Sequence, residues 1–201
     1  VAIQISLFVK AVFSFCMKTK DTLRHVTIFP NDNVIGISEI IKDFDVEETG
    51  TTFEENARLK SEAAAKALNK RVIADDSGLE VYALNGEPGV YSARYAGLEK
   101  NDESNIDKVL KKLEDKTNRK AQFVCVISMS APNEPTHIFK GTVSGEITTE
   151  RKGDHGFGYD PIFYLPEKNK TMAELTTEEK SDVSHRGNAI KALNEYLERE
   201  K

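Results

Sequence analysis

Arg71-Val72-Ile73-Ala74-Asp75-Asp76-Ser77-Gly78-Leu79-Glu80-Val81-Tyr82-Ala83 is the stretch on which the fold turns. Residues 71–74 read as a short buried strand ending in two adjacent carboxylates. Asp75-Asp76-Ser77-Gly78 reads as a polar turn, from which residues 79–83 leave as a second strand. Carboxylates at the end of a buried strand occupy the place where α/β sheets put their ligands. Upstream, Thr52 and Glu55 have the spacing of a capping box, and the alanine-rich run to residue 68, with Lys60 inside it, favours helix. Before that, a Pro30-Asn31-Asp32 turn precedes a short, partly β-branched strand at 33–37. Downstream, Asn85-Gly86 and Pro88-Gly89 mark turns. Ile106, Val109, Leu110 and Leu113 recur at helical spacing and predict an amphipathic helix over 102–113. Residues 121–129 form a long apolar strand free of breakers, and 136–147 is its partner after the loop holding Pro132 and Pro135. A glycine-rich loop at 153–158 leads to a short strand at 161–165. A last helix over 186–198 carries Ala189, Ile190, Leu193 and Leu197 on one face. Strands and helices mix without strict βαβ alternation, so the expectation is an α/β domain with a mixed sheet and flanking helices.

The chain has 201 residues, 39% hydrophobic and 30% charged, the mix of a soluble globular domain. No repeat, low-complexity tract or linker divides it, so residues 1–201 read as a single domain. The net charge is -5 and the pI near 5.5. Nucleic-acid binders carry a basic face; this balance points away from nucleic acid and requires any phosphate to be held locally, by placed lysines, backbone N–H groups or a metal. Cys16 and Cys125 have no C-x-x-C partner, which excludes a cysteine-built zinc site and fits a reducing, cytoplasmic compartment. Residues 1–17 are apolar apart from Gln4, Ser6, Lys10 and Ser14. They are short for a membrane span and lack a basic n-region and a cleavage site. Three readings stay open there, a buried strand, an apolar helix and a targeting segment, with Met17 as an alternative start.

Three clusters carry candidate chemistry. Glu47-Glu48, just before Thr49-Gly50, and Asp75-Asp76 supply carboxylates from two loops. Magnesium prefers oxygen ligands and takes only one or two carboxylates beside phosphate and water. Gly156-Phe157-Gly158-Tyr159-Asp160-Pro161 places an aromatic ring between two glycines, so that backbone N–H groups can approach a ligand while the ring stacks on it. Asp160, before a proline, is expected to be extended, with its carboxylate aimed in a defined direction. Ser184 can cap the last helix, which sets His185 and Arg186 at an electropositive helix start, near Lys180. Each cluster alone is an ordinary polar turn, hairpin plug or helix cap. Together they are the parts of a nucleotide hydrolase, and neither G-x-x-x-x-G-K-[ST] nor G-x-G-x-x-G is present.

The motifs Glu48-Thr49-Gly50-Thr51-Thr52-Phe53-Glu54-Glu55-Asn56-Ala57, Ala74-Asp75-Asp76-Ser77-Gly78-Leu79, Gly89-Val90-Tyr91-Ser92-Ala93-Arg94-Tyr95, Gly156-Phe157-Gly158-Tyr159-Asp160-Pro161 and Ser184-His185-Arg186 occur in this order. Over roughly residues 33–200 the chain resembles the inosine triphosphate pyrophosphatases, the house-cleaning enzymes for non-canonical purine nucleotides, and in wording their bacterial, Gram-positive branch. The resemblance implies a long mixed sheet with two lobes around a central cleft, a homodimer, and hydrolysis of ITP, dITP or XTP between the α- and β-phosphates. It makes Asp76 the catalytic carboxylate and Glu48 its partner in holding Mg2+. Ser77 and Lys60 would contact the triphosphate. Phe157, Gly158, Tyr159 and Asp160 would hold base and sugar, and Lys180, His185 and Arg186 would complete the base pocket. The family's opening T/S-x-N-x-x-K phosphate loop has no counterpart before about Thr27, so residues 1–26 are atypical. Ser14, Cys16 and Thr19 have the spacing with other chemistry, and Lys18 and Lys20 are the nearby cations. The rival expectation is a nucleotide-binding protein with an impaired phosphate site, and a third is a pyrophosphatase for other modified nucleotides.

Overall fold

The computed structural model describes residues 36–200. The expectations for the apolar start, the phosphate-loop region and most of the 33–37 strand lie outside the described residues. Ile37, at the end of that expected strand, instead opens the short helix α1, Ile37–Ile40.

The polar stretch and the strand before it are one element. β1 runs unbroken over Val72–Val81, so Asp75-Asp76-Ser77-Gly78 lies inside a strand and makes no turn. Gly78 explains the difference. A Cβ there would stand 2.3 Å from Ser92 Oγ and 2.7 Å from the Gly89 carbonyl oxygen. The glycine therefore marks a close approach of backbones. Ser92 Oγ accepts from the Leu79 N–H at 2.9 Å and donates to the Gly89 carbonyl at 2.6 Å. These bonds tie the strand to the 3-10 segment Gly89–Arg94. Past Val81 the chain enters a second 3-10 turn, Tyr82–Leu84, so the strand stops short of residue 83.

Helix α2, Phe53–Leu68, forms as expected. Thr52 Oγ1 accepts the Glu55 N–H at 3.1 Å, and Glu55 Oε2 accepts those of Thr52 and Thr51 at 3.2 and 2.6 Å. These bonds, the Thr51 N–H foremost, hold the Glu55 carboxyl below the usual carboxylate range. Asn69, with φ 50°, ends the helix in the left-handed conformation. α3, Asp102–Lys112, is capped by Asn101, whose side chain accepts from the Ser104 N–H.

Among the described residues β1, β2 (Lys120–Ser130), β3 (His137–Ile147), β4 (Phe163–Leu165) and β5 (Lys170–Thr171) form one sheet in that order. β3, β4 and β5 pair antiparallel, with Glu146 opposite Tyr164 and Tyr164 opposite Thr171. The strand expected from residue 161 starts at Phe163, because Pro161, which has no N–H for a ladder, belongs to the 3-10 turn Asp160–Ile162. α4, Thr177–Val183, precedes α5, His185–Arg199, whose start is capped by Ser184.

The described chain makes two compact, interleaved units. The first takes 36–49, 57–75 and 128–137, and the second 50–56, 76–127 and 138–200. In the first, Ile37, Ala64, Ala65 and Val72 pack with Phe44 and Leu68. Ser61 Oγ there lies 2.7 Å from Ser128 Oγ and 2.8 Å from Ser130 Oγ, so directional bonds add to small-residue packing. The second holds the larger core, with Leu79, Ile106, Leu113, Phe163 and Met172 all buried. Gly78→Ala is expected to lower the unfolding free energy by about 1–3 kcal/mol through overpacking. Gly97→Ala, where an added Cβ meets nothing within 4 Å, should stay within about 0.5 kcal/mol of wild type; urea unfolding of both variants checks the pair.

Candidate active site

In the first unit the expected carboxylate Glu48 and the expected phosphate lysine Lys60 meet, with Lys60 Nζ 3.0 Å from Glu48 Oε1. Lys60 is almost wholly buried, and its ammonium needs such an anion to remain charged there. Asp75 is buried on β1. The next residue, Asp76, begins the part of β1 that belongs to the second unit.

The second unit gathers most of the other candidates. Successive strand side chains leave opposite faces, so Asp76 and Ser77 serve different neighbours. Asn56 Nδ2 donates to Asp76 Oδ2 at 3.4 Å. Arg186 Nη2 donates to Ser77 Oγ at 3.0 Å. The same guanidinium lies over the Phe157 ring, 5.5 Å from its centroid, and Lys180 Nζ stands 5.1 Å from it. Cations within about 6 Å of a ring centroid are attracted by the ring's electron-rich face. Phe157 is 51% exposed. Lys180 pairs with the buried Asp160, which also accepts the Phe157 N–H at 2.9 Å. Asp160 is therefore oriented by these two donors, and its place at the head of a 3-10 turn replaces the extended conformation expected before Pro161.

The loop's N–H groups are used differently from the expectation. That of Phe157 goes to Asp160 and that of Gly158 to Asp102 Oδ2 at 2.8 Å. Gly156 has φ 87°, and a Cβ on it would meet Asp160 Oδ2 at 2.2 Å, so only glycine fits the bend. Tyr159 is a core residue whose hydroxyl donates to the Ser92 carbonyl at 2.7 Å, and burial raises its pKa. His185 is buried and stacked on Phe123 at 4.9 Å. Burial, then the charges of Arg186 and Lys180, push its pKa down to about 3, so it stays neutral at pH 7. Its Nδ1 has no hydrogen-bond partner among the described residues. No group of three His, Cys, Asp or Glu able to cage a metal occurs among them either.

The Ham1 family model matches residues 17–196. This chain belongs to the Ham1 family. A dITP/XTP pyrophosphatase of Staphylococcus epidermidis is 78% identical over 173 residues, 86% of this chain and 89% of the relative. The Ham1 protein structure from Staphylococcus aureus superposes with a TM-score of 0.91 at 64% identity, covering 94% of this chain and 99% of that one. A HAM1 protein structure from Coxiella burnetii gives 0.88 at 40% identity, covering the same shares. The Ham1 match takes in Lys18 and Lys20, upstream of the motifs that carry the resemblance.

Asn56, Ser92 and Asp102 contact candidate residues of this Ham1 chain, and the sequence reading gave none of them a role in the site. For Asn56 a signal exists. Phe53, Asn56, Ala57, Lys60, Ser61, Ala64 and Ala65 fall on one helical stripe, all seven are buried, and three are polar. Polar residues on a buried stripe must have partners.

Two outcomes follow from this geometry. Asp160→Asn leaves the nearly buried Lys180 without its anion and should cost about 3 kcal/mol in urea unfolding; adding Lys180→Met should recover part of that loss. His185, neutral when folded and with an ordinary pKa of about 6.5 when unfolded, contributes stability in full above that pH and loses it as pH falls toward 3. His185→Phe should therefore remove up to about 1.4 kcal/mol per pH unit of the acid-side slope between pH 6 and 4, read from unfolding curves at each pH.

Proposed function

We propose that the chain hydrolyses ITP, dITP and XTP to the monophosphate and pyrophosphate, removing altered purines from the nucleotide pool. What supports this most is the Arg186 guanidinium, which reaches the Ser77 hydroxyl on the strand of Asp76 and also covers the Phe157 ring. One side chain thus spans a phosphate-type and a base-type environment. Water attacks the α-phosphorus, the bond from that phosphorus to the α,β-bridging oxygen breaks, and pyrophosphate leaves with the bonding pair. Asp76 orients the water and takes its proton. Ser77 and Lys60 hold the phosphates.

Glu48 and Asp76 would hold Mg2+. Their hard oxygen donors suit it, and an ion that takes one or two carboxylates does not need the three-residue cage missing among the described residues. When bound, the ion neutralises the triphosphate and lowers the pKa of a bound water. Selectivity rests with Phe157, Lys180 and Arg186, around which Gly158, Tyr159, Asp160 and His185 shape the base pocket from behind. A 6-keto purine offers an acceptor to Arg186 and Lys180 where adenine offers an amino donor, and a polar site can reject the mismatched group strongly. The working state is a homodimer in the cytoplasm, a place supported by the cysteine usage. Among the described residues no helix is long and apolar enough to cross a membrane.

With Mg2+ the protein should release pyrophosphate from ITP far faster than from ATP, and chelation should stop it. Asp76→Asn should lower the rate at least about 100-fold. Wild type that binds ITP without releasing pyrophosphate would make the protein a nucleotide-binding module.

A further inference from the structure

Asn56 is fully buried on α2, and both ends of its amide are engaged. Oδ1 accepts the Gly50 N–H at 2.8 Å, and Nδ2 faces Asp76 Oδ2 at 3.4 Å. An amide whose oxygen is committed to an N–H must turn its NH2 the other way, so the donor toward Asp76 follows from the Gly50 bond. Gly50 is part of the device. A Cβ there would stand 2.6 Å from Asn56 Oδ1 and 2.6 Å from Glu55 Cβ, so any larger residue would displace the amide. The next two N–H groups, of Thr51 and Thr52, go to Glu55. The turn is thereby held along its length.

We propose that Asn56 is a positioning residue, its amide clamped by Gly50 so that it sets the orientation of the Asp76 carboxylate. The terminal torsion of an aspartate is broad and two-fold. A donor on a rigid, buried side chain selects one orientation out of that range, which decides which oxygen faces the attacking water. Gly50 is also two residues along the chain from Glu48. The same amide therefore restrains the turn that follows the other proposed magnesium ligand. This inference rests on the role given to Asp76 above.

Full-length wild type, Asn56→Ala, Asn56→Asp and Asp76→Asn provide the test. Asn56→Asp keeps the acceptor for Gly50 and sets a repelling carboxylate oxygen in place of the donor to Asp76, so it also serves if Asn56→Ala does not fold. Three readouts apply: kcat and KM for ITP, Mn2+ binding from the EPR signal of the free ion, and a crystal structure. Both Asn56 variants should lower kcat by about 10–100-fold, and Asn56→Ala should weaken Mn2+ binding about ten-fold, with KM within about three-fold. The Asp76 carboxylate should be rotated in the crystal structure. Folded variants with wild-type kcat and Mn2+ affinity, or an unmoved Asp76, would overturn the proposal and leave Asn56 as a holder of the turn. Failure of the underlying reading looks different: wild type would be inert on ITP, or Asp76→Asn would bind Mn2+ as wild type does. In that case the position of Asp76 in the Asn56 variants still decides whether Asn56 orients it.

Discussion

Ser92 joins three parts of the second unit through two oxygens. Its hydroxyl accepts from Leu79 and donates to Gly89, while its carbonyl accepts the Tyr159 hydroxyl. β1, the segment Gly89–Arg94 and the aromatic loop are thereby fixed to one buried residue. The closeness of Gly78 makes the arrangement feasible, since any Cβ there would occupy the space of the Ser92 side chain. The buried Leu79 N–H needs such a partner, because polar groups taken from water must be bonded. The position of Asp76 and Ser77 rests on a hydroxyl that itself lies outside the expected chemistry.

Much of the fold was legible because the signals were local. The Thr52–Glu55 cap, the periodicity of α3 and the breaker-free run of β2 each state their structure within a dozen residues. The turn expected at Asp75–Gly78 fails for a non-local reason, the approach of Ser92 from fourteen residues beyond Gly78. Asp160 fails similarly: the rule for residues before proline is overridden by Lys180 and the Phe157 N–H. Of the candidate site, the motifs named residues that the structure brings together, Arg186 with Ser77 and Phe157, and Lys180 with Asp160. The engagement of the loop's N–H groups with Asp102 and Asp160 was not legible, since nothing in the sequence pairs residue 102 with residue 158.

That engagement bears on the proposed base pocket. N–H groups already bonded to carboxylates do not contact a ligand without breaking those bonds. They hold the loop so that the Phe157 ring stays presented. Under the proposed function recognition falls to side chains, above all Arg186 and Lys180, which sit beside that ring. Groups held in place beforehand lose less freedom on binding.

The serine contacts of the first unit carry a wider implication. A helix resting only on alanines can roll about its axis at little cost. Here the Ser61 hydroxyl is shared by Ser128 and Ser130, neighbours on one face of β2, and that gives α2 a single azimuth. Lys60 precedes Ser61 by one residue and Asn56 lies on the same stripe. The aim of Lys60 at Glu48 is thus set by a hydroxyl contact one residue further along the helix, and substitutions among these serines would turn that side chain as well as loosen the packing.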